Sequence, residues 1–142
     1  MNNKKLGSKF EKDICRRLAT KGYWVHFIVP DIRGAQPFDI IAVKDGKAYA
    51  IDCKTCVSDV FSISRLEDNQ VMAFEKWIRC GNTCPVVVVE HDGIIICVEY
   101  NALKKYGKIR IGGCKHEEIQ SDEFGGAVAF DYFFDRPLYK IG

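Results

Sequence analysis

The sequence predicts an α/β fold, and three observations carry that prediction. An apolar stripe with helical spacing occupies the first twenty residues. An Asp45-Gly46 turn then separates two runs of strand-forming residues, and a second amphipathic helix precedes another pair of β-branched runs. Helices alternating with strands in this way point to the α/β class.

The elements follow in chain order. Leu6, Phe10, Ile14 and Leu18 recur at every fourth position, which predicts a helix over residues 6–20, stopped at Lys21-Gly22. Residues 23–29 are aromatic and β-branched and read as a strand, and residues 30–37 form a loop rich in Pro and Gly. Gly tolerates the positive φ of a type I′ turn, so Asp45-Gly46 closes a two-residue hairpin. With those two residues as the loop, Lys44 pairs with Lys47, Val43 with Ala48, Ile41 with Ala50, and Asp39 with Asp52. Ser64-Arg65-Leu66-Glu67 has capping-box spacing and predicts a helix through Phe74, Trp77 and Ile78, ended by Gly81. Residues 86–90 and 94–100 form a second hairpin around His91-Asp92-Gly93, and residues 101–106 a short helix. The aromatic run Phe130-Asp131-Tyr132-Phe133-Phe134 reads either as core or as a subunit interface.

Composition bounds the function. A chain of 142 residues with 47% hydrophobic and 28% charged residues reads as one soluble domain, with no linker or repeat to divide it. It has neither an apolar window of membrane-spanning length nor an apolar stretch after Lys4 and Lys5, so no membrane role is expected and the location expected is cytoplasmic. Seven cysteines, an odd number, read as reduced thiols. A net charge of +2 decides little, so nucleic-acid contact needs local clusters. Lys4, Lys5, Lys9, Lys12, Arg16 and Arg17 on the first helix and Arg33 in the loop are the candidates, a solvated helix face being the plainer account of the helical ones.

The hairpin carries the chemistry. Asp39 opposite Asp52 places two carboxylates with Cβ atoms about 5 Å apart. Strand alternation puts Lys54 on the Asp52 face and Cys53 on the other. Residues 40–43 and 48–51 are apolar on both faces, which argues for a covered central hairpin over a surface one with an ordinary Asp52–Lys54 salt bridge. Buried like charges must be paired or ligated, and a divalent cation turns their repulsion into coordination. Glu11 projects into the apolar arc of the first helix between Leu18 and Cys15, either toward this site or as the cap of a Ser8–Glu11 box. Gln70 lies on the buried stripe of the second helix, either satisfied by backbone or meeting a polar partner on the Asp52 strand. Cys53-Lys54-Thr55-Cys56 with Cys80 and Cys84 offers a competing zinc set, but without knuckle glycines the better reading is reduced core thiols. His26, His91 and His116 share no ligand spacing and read as structural.

The order Glu11, Pro37-Phe38-Asp39, Asp52-Cys53-Lys54 and Gln70 resembles the PD-(D/E)XK nuclease superfamily, and within it the RecU-type and archaeal Hjc-type Holliday junction resolvases. The resemblance spans about residues 7–100. It implies a restriction-endonuclease-like mixed central sheet flanked by helices, and a metal-dependent endonuclease acting on four-way DNA as a homodimer. It further implies that Asp39 and Asp52 hold Mg²⁺ or Mn²⁺, that Glu11 completes or supports the site, that Lys54 stabilises charge and orients water, and that Gln70 assists. Asp52 stands where these resolvases more often carry Glu, and the C-terminal third carries no motif that resembles theirs. Another structure-specific or restriction-like nuclease, or a non-catalytic DNA-binding or inhibitor protein, are the alternatives on the same fold.

Overall fold

A computed structural model describes residues 2–29, 36–113 and 127–135, with backbone alone over residues 2–8. Helix α1 (Asn2–Thr20) leads into strands β1 (Trp24–Phe27), β2 (Ile40–Lys44) and β3 (Lys47–Thr55). Strand β4 (Val60–Ser62) and a 3₁₀ turn (Ile63–Arg65) precede α2 (Asp68–Arg79), β5 (Val86–His91) and β6 (Ile94–Glu99). Helix α3 (Tyr100–Tyr106), β7 (Lys108–Arg110), β8 (Ala127–Ala129) and α4 (Phe130–Asp135) complete the order.

The main sheet runs β1-β2-β3-β5-β6-β8, and β4 pairs separately with β7. The pairing β3–β5 is parallel and the other main-sheet pairs are antiparallel, so the sheet is mixed. A parallel pair needs a crossover, and α2 supplies it. The hairpin register is the one expected from the Asp45-Gly46 turn, running from Lys44↔Lys47 to Ile40↔Ile51. Both turn residues have positive φ, 53° and 79°, as type I′ geometry demands. Asp92 and Gly93 repeat the device, with φ of 52° and 79°, between β5 and β6.

Each face of the sheet has its own core. On one, Ile14 and Leu18 of α1 and Phe130, Phe133 and Phe134 of α4 cover Ile40, Ile51, Val86 and Val88. On the other, Phe74 of α2 and Tyr100 and Leu103 of α3 cover Ala50, Val87, Val89 and Ile96. Truncating the fully buried Phe74 to Ala would cost about 3–5 kcal/mol. Strand β3 therefore sits between paired neighbours and beneath two helical layers.

Two expectations need correction. The first helix begins at Asn2, four residues before the apolar stripe that signals it. The second begins at Asp68 and not at Ser64, because Leu66 is extended (φ −89°, ψ 136°) and interrupts propagation. Ser62 instead caps the intervening 3₁₀ turn by accepting from the Ser64 N–H at 3.2 Å. Of the two readings of the aromatic run, core holds for Phe130, Phe133 and Phe134, which are buried against the α1 face. Among the described residues no helix is long and apolar enough to cross a membrane.

Candidate active site

Alternation along β3 turns Asp52 and Lys54 toward α2, and Tyr49, Ile51 and Cys53 toward α1. Flanked by β2 and β5, Asp52 is 0% exposed. Asp39 is 6% exposed and lies one residue before β2. The ladder ends at Ile40↔Ile51, so Asp39 does not occupy the next regular rung opposite Asp52. Its N–H donates to the Ile51 carbonyl at 3.0 Å, and its own carbonyl accepts from the Ile28 N–H at 2.8 Å. This departure from the ladder brings the Asp39 carboxylate back over β3, where Oδ2 accepts from the Cys53 N–H at 2.8 Å. The two carboxyls come within reach of a shared hydrogen bond.

The electrostatics follow from burial and from this pairing. Burial first, and then the Asp39 charge, hold the Asp52 carboxyl well above the usual carboxylate range. Burial likewise raises Asp39, partly offset by its hydrogen bond from Cys53. Asp52 Oδ2 is buried without a hydrogen-bond partner, although Lys54 Nζ approaches it as an ion pair at 3.4 Å. A buried acceptor left in this condition is costly, and the group that relieves two facing carboxylates most directly is a hard cation. The donor set fits a divalent metal on that ground.

Gln70 organises the other side. Its Nε2 donates to Asp52 Oδ1 at 3.0 Å, while its Oε1 accepts from Lys54 Nζ at 3.2 Å. The same oxygen accepts from the Glu67 N–H at 3.0 Å, one half of a capping box at the start of α2. One side chain thus joins the helix start to both Asp52 and Lys54 of β3. Both readings of Gln70 hold in part, since it bonds the backbone at Glu67 and meets a polar partner, Asp52, on β3.

Glu11 approaches from α1, on the opposite side of the sheet. Since α1 already runs from Asn2, the Ser8–Glu11 spacing lies inside the helix and has no start to cap. Burial first, then the Asp39 charge, push its carboxyl to about 7, with Lys54 opposing. Glu11 therefore shares the field of the site. Among the described residues no three Asp, Glu, His or Cys side chains meet as a metal-ligand cluster. The carboxylate nest is the Asp39–Asp52 pair, with Glu11 coupled to it by charge.

The cysteines do not assemble a zinc site. Cys53 faces the α1 core and Cys56 the α2 core, and no disulfide joins the described cysteines. Burial and the adjacent carboxylates push the Cys53 thiol well above its usual range, away from the thiolate that zinc requires. His91 is structural in the sense expected: its ring spans the Cys56 carbonyl (2.9 Å) and Asp59 Oδ1 (3.1 Å). Of the basic candidates, Lys9 and Lys12 are exposed on α1, whereas Arg16 and Arg17 are engaged by Asp13 at 3.3 and 2.9 Å. Arg33, His116 and the side chains of Lys4 and Lys5 lie outside the described residues.

Two positioning residues escape sequence reasoning. Asn69 Nδ2 donates to the Gln36 carbonyl at 2.9 Å, and the Gln36 side chain in turn hydrogen-bonds the Asp39 carboxylate. Successive residues of α2, Asn69 and Gln70, thereby steady the Asp39 segment and the Asp52 strand. The available signal is adjacency alone, Asn69 beside Gln70 and Gln36 three residues before Asp39.

Comparison with curated proteins finds no match. Among solved structures, the Archaeoglobus fulgidus Hjc, a Holliday junction resolvase from an archaeal hyperthermophile, superposes with a TM-score of 0.54. That match covers 89% of this chain and 90% of the other at 15% identity, a likeness of fold. The archaeal Holliday junction resolvase (hjc) family model matches residues 2–111, a span holding the whole carboxylate–lysine–glutamine arrangement and both cores' central strands. The chain accordingly belongs to the archaeal Hjc family of Holliday junction resolving nucleases.

Proposed function

We propose that this nuclease hydrolyses phosphodiester bonds of four-way DNA junctions with a divalent cation, Mg²⁺ or Mn²⁺, held by Asp39 and Asp52. The observation that carries the reading is the buried carboxylate pair with an orphaned Asp52 oxygen beside a lysine. When bound, such a cation would supply Lewis acidity toward the phosphate and lower the pKa of a bound water. The chain's own residues prepare the remainder. Cys53 N–H and Gln70 Nε2 hold the two carboxylates at fixed orientations. Lys54, only 17% exposed, brings a localised positive charge to the place where negative charge develops on the phosphate. Gln70 Oε1 keeps that ammonium aimed at the site and away from solvent. Glu11, poised near neutrality, tunes the charge of the pair from the α1 side.

Two symmetric strands must be cut to resolve a junction, and a homodimer with two-fold symmetry does this naturally. We place the activity in the cytoplasm, where free cysteines persist. The test is cleavage of four-way, duplex, flap and single-stranded DNA with Mg²⁺, with Mn²⁺ and with chelator. Preferential cutting of the four-way substrate that depends on metal is expected. Junction binding without cleavage under any metal would refute the catalytic reading, and a light-scattering mass of one chain would refute the dimer.

A further inference from the structure

Among the described residues strand β1 is an edge of the main sheet, paired with β2 on one side. Val25 and Phe27 turn toward the α1 core, so Trp24 and His26 stand on the other face, the one that carries Asp52 and Lys54. Their rings stack on each other, 6.1 Å between centroids and 9° between planes. Trp24 is 62% exposed and His26 is exposed beside it. The other tryptophan behaves in the ordinary way: Trp77 packs on the core and donates its indole N–H to the Thr83 carbonyl at 2.9 Å. An indole left in water contributes little to the core, and its position is informative.

The edge is continuous with the site. Ile28, the residue after β1, donates its N–H to the Asp39 carbonyl at 2.8 Å. Trp24 lies four residues back on the same chain segment, about 13 Å along it at about 3.3 Å per residue. That span is on the order of four nucleotides of stacked strand, at about 3.4 Å each. A flat, exposed two-ring surface matches the π face of a nucleobase, which aromatic side chains bind without regard to sequence. A base is available for such contact where stacking is interrupted, as at a branch point. A second protein copy fits less well, since one Trp offers about 150–250 Å² while a stable interface needs about 800 Å² from each partner.

We propose that Trp24, backed by His26, is a stacking platform for a nucleobase of the DNA strand that enters the Asp39–Asp52 site. This rests on the nuclease reading for the identity of the ligand. The platform adds affinity and a preference for distorted DNA, and takes no part in the chemistry.

The test couples the side chain to the base. Dissociation constants at one fixed salt concentration are measured for wild type, Trp24→Ala, Trp24→Phe and His26→Ala. The probes are an intact four-way junction and junctions with one abasic site moved through roughly six positions around the branch point. Trp24→Ala should weaken binding to the intact junction about tenfold, Trp24→Phe much less, and His26→Ala by an intermediate factor. At one or two positions the abasic site should cost wild type a similar factor and cost Trp24→Ala nothing. Losses that multiply independently at every position would overturn the platform. So would a Trp24→Ala protein whose light-scattering mass falls from two chains to one, which would make the surface an interface between copies. Should wild type cut no DNA while the coupling persists, the nuclease reading fails and the platform stands.

Discussion

Asp52→Asn removes the charge that the folded chain accommodates least well. The asparagine keeps an oxygen for Gln70 Nε2, now 3.0 Å from Asp52 Oδ1. Its new amide takes the place of the orphaned Oδ2, and the repulsion between the Asp39 and Asp52 charges is removed. The Lys54 ion pair at 3.4 Å is lost, but Lys54 retains Gln70 Oε1 at 3.2 Å. Relieving a buried unsatisfied group is worth about 1–3 kcal/mol. For a chain of this size that raises Tm by roughly 2–10 °C. The sign depends on pH. Asp52 has a folded-state pKa well above its unfolded value, so wild type carries the neutral acid at low pH and meets the penalty only as pH rises through that window. The gain should therefore be present at about pH 8 and vanish toward about pH 4, near the ordinary carboxylate value. Thermal melting in chelator at both pH values checks this. Added Mn²⁺ should stabilise wild type, by about 2.7 kcal/mol at a hundred times Kd, and leave Asp52→Asn unmoved. Junction cleavage by the variant should be abolished. A variant less stable than wild type at the higher pH without metal, or one that cleaves normally, would refute the reasoning.

Lys54→Ala should lower kcat by about 10²–10³-fold, with junction affinity at fixed salt changed only a few-fold, as single-turnover cleavage and anisotropy titration would show. Gln70→Ala removes the partner of Asp52, of Lys54 and of the Glu67 N–H together, so a loss of about 1 kcal/mol in urea unfolding should accompany reduced kcat. Glu11 is raised from 4.5 to about 7, so metal-free wild type should lose stability as pH rises from 4.5 to about 7, while Glu11→Gln shows no such fall. Because this carboxyl is half exposed, solvent screening reduces the difference to about 1 kcal/mol, measurable by paired melting curves across that range.

Much of the site could be read without coordinates because hairpins are local. A two-residue Asp-Gly turn sets the register, and register sets which face each side chain occupies. Asp52, Lys54 and Cys53 follow from that rule, as does the central position of an apolar two-faced hairpin. The outer limit of the rule is Asp39. Pairing arithmetic brings it opposite Asp52 on a regular rung, but a hydrogen bond donated by Ile28, the residue after β1, draws its backbone off the ladder, and the carboxylate returns through Cys53 N–H. That competition involves a third strand, which no local pattern reports. The same limit explains the second helix: the capping-box spacing at Ser64 is real in sequence, yet Leu66 remains extended to reach the α2 core, and Glu67 and Gln70 take over the start.

Periodicity along the chain thus determined the α/β class, the hairpins, the inward polar residues and the Asp39–Asp52–Lys54 grouping, since each depends on contacts a few residues apart. Tertiary structure decided the strand order, with β5 inserted parallel beside β3, and the delivery of Gln70 and Asn69 to the site. It also decided that Glu11, on α1, comes within the field of Asp39, and that β4 pairs with β7, about fifty residues away. Those arrangements come from the packing of two helical layers against one sheet, and a sequence read one window at a time carries no record of which surfaces meet.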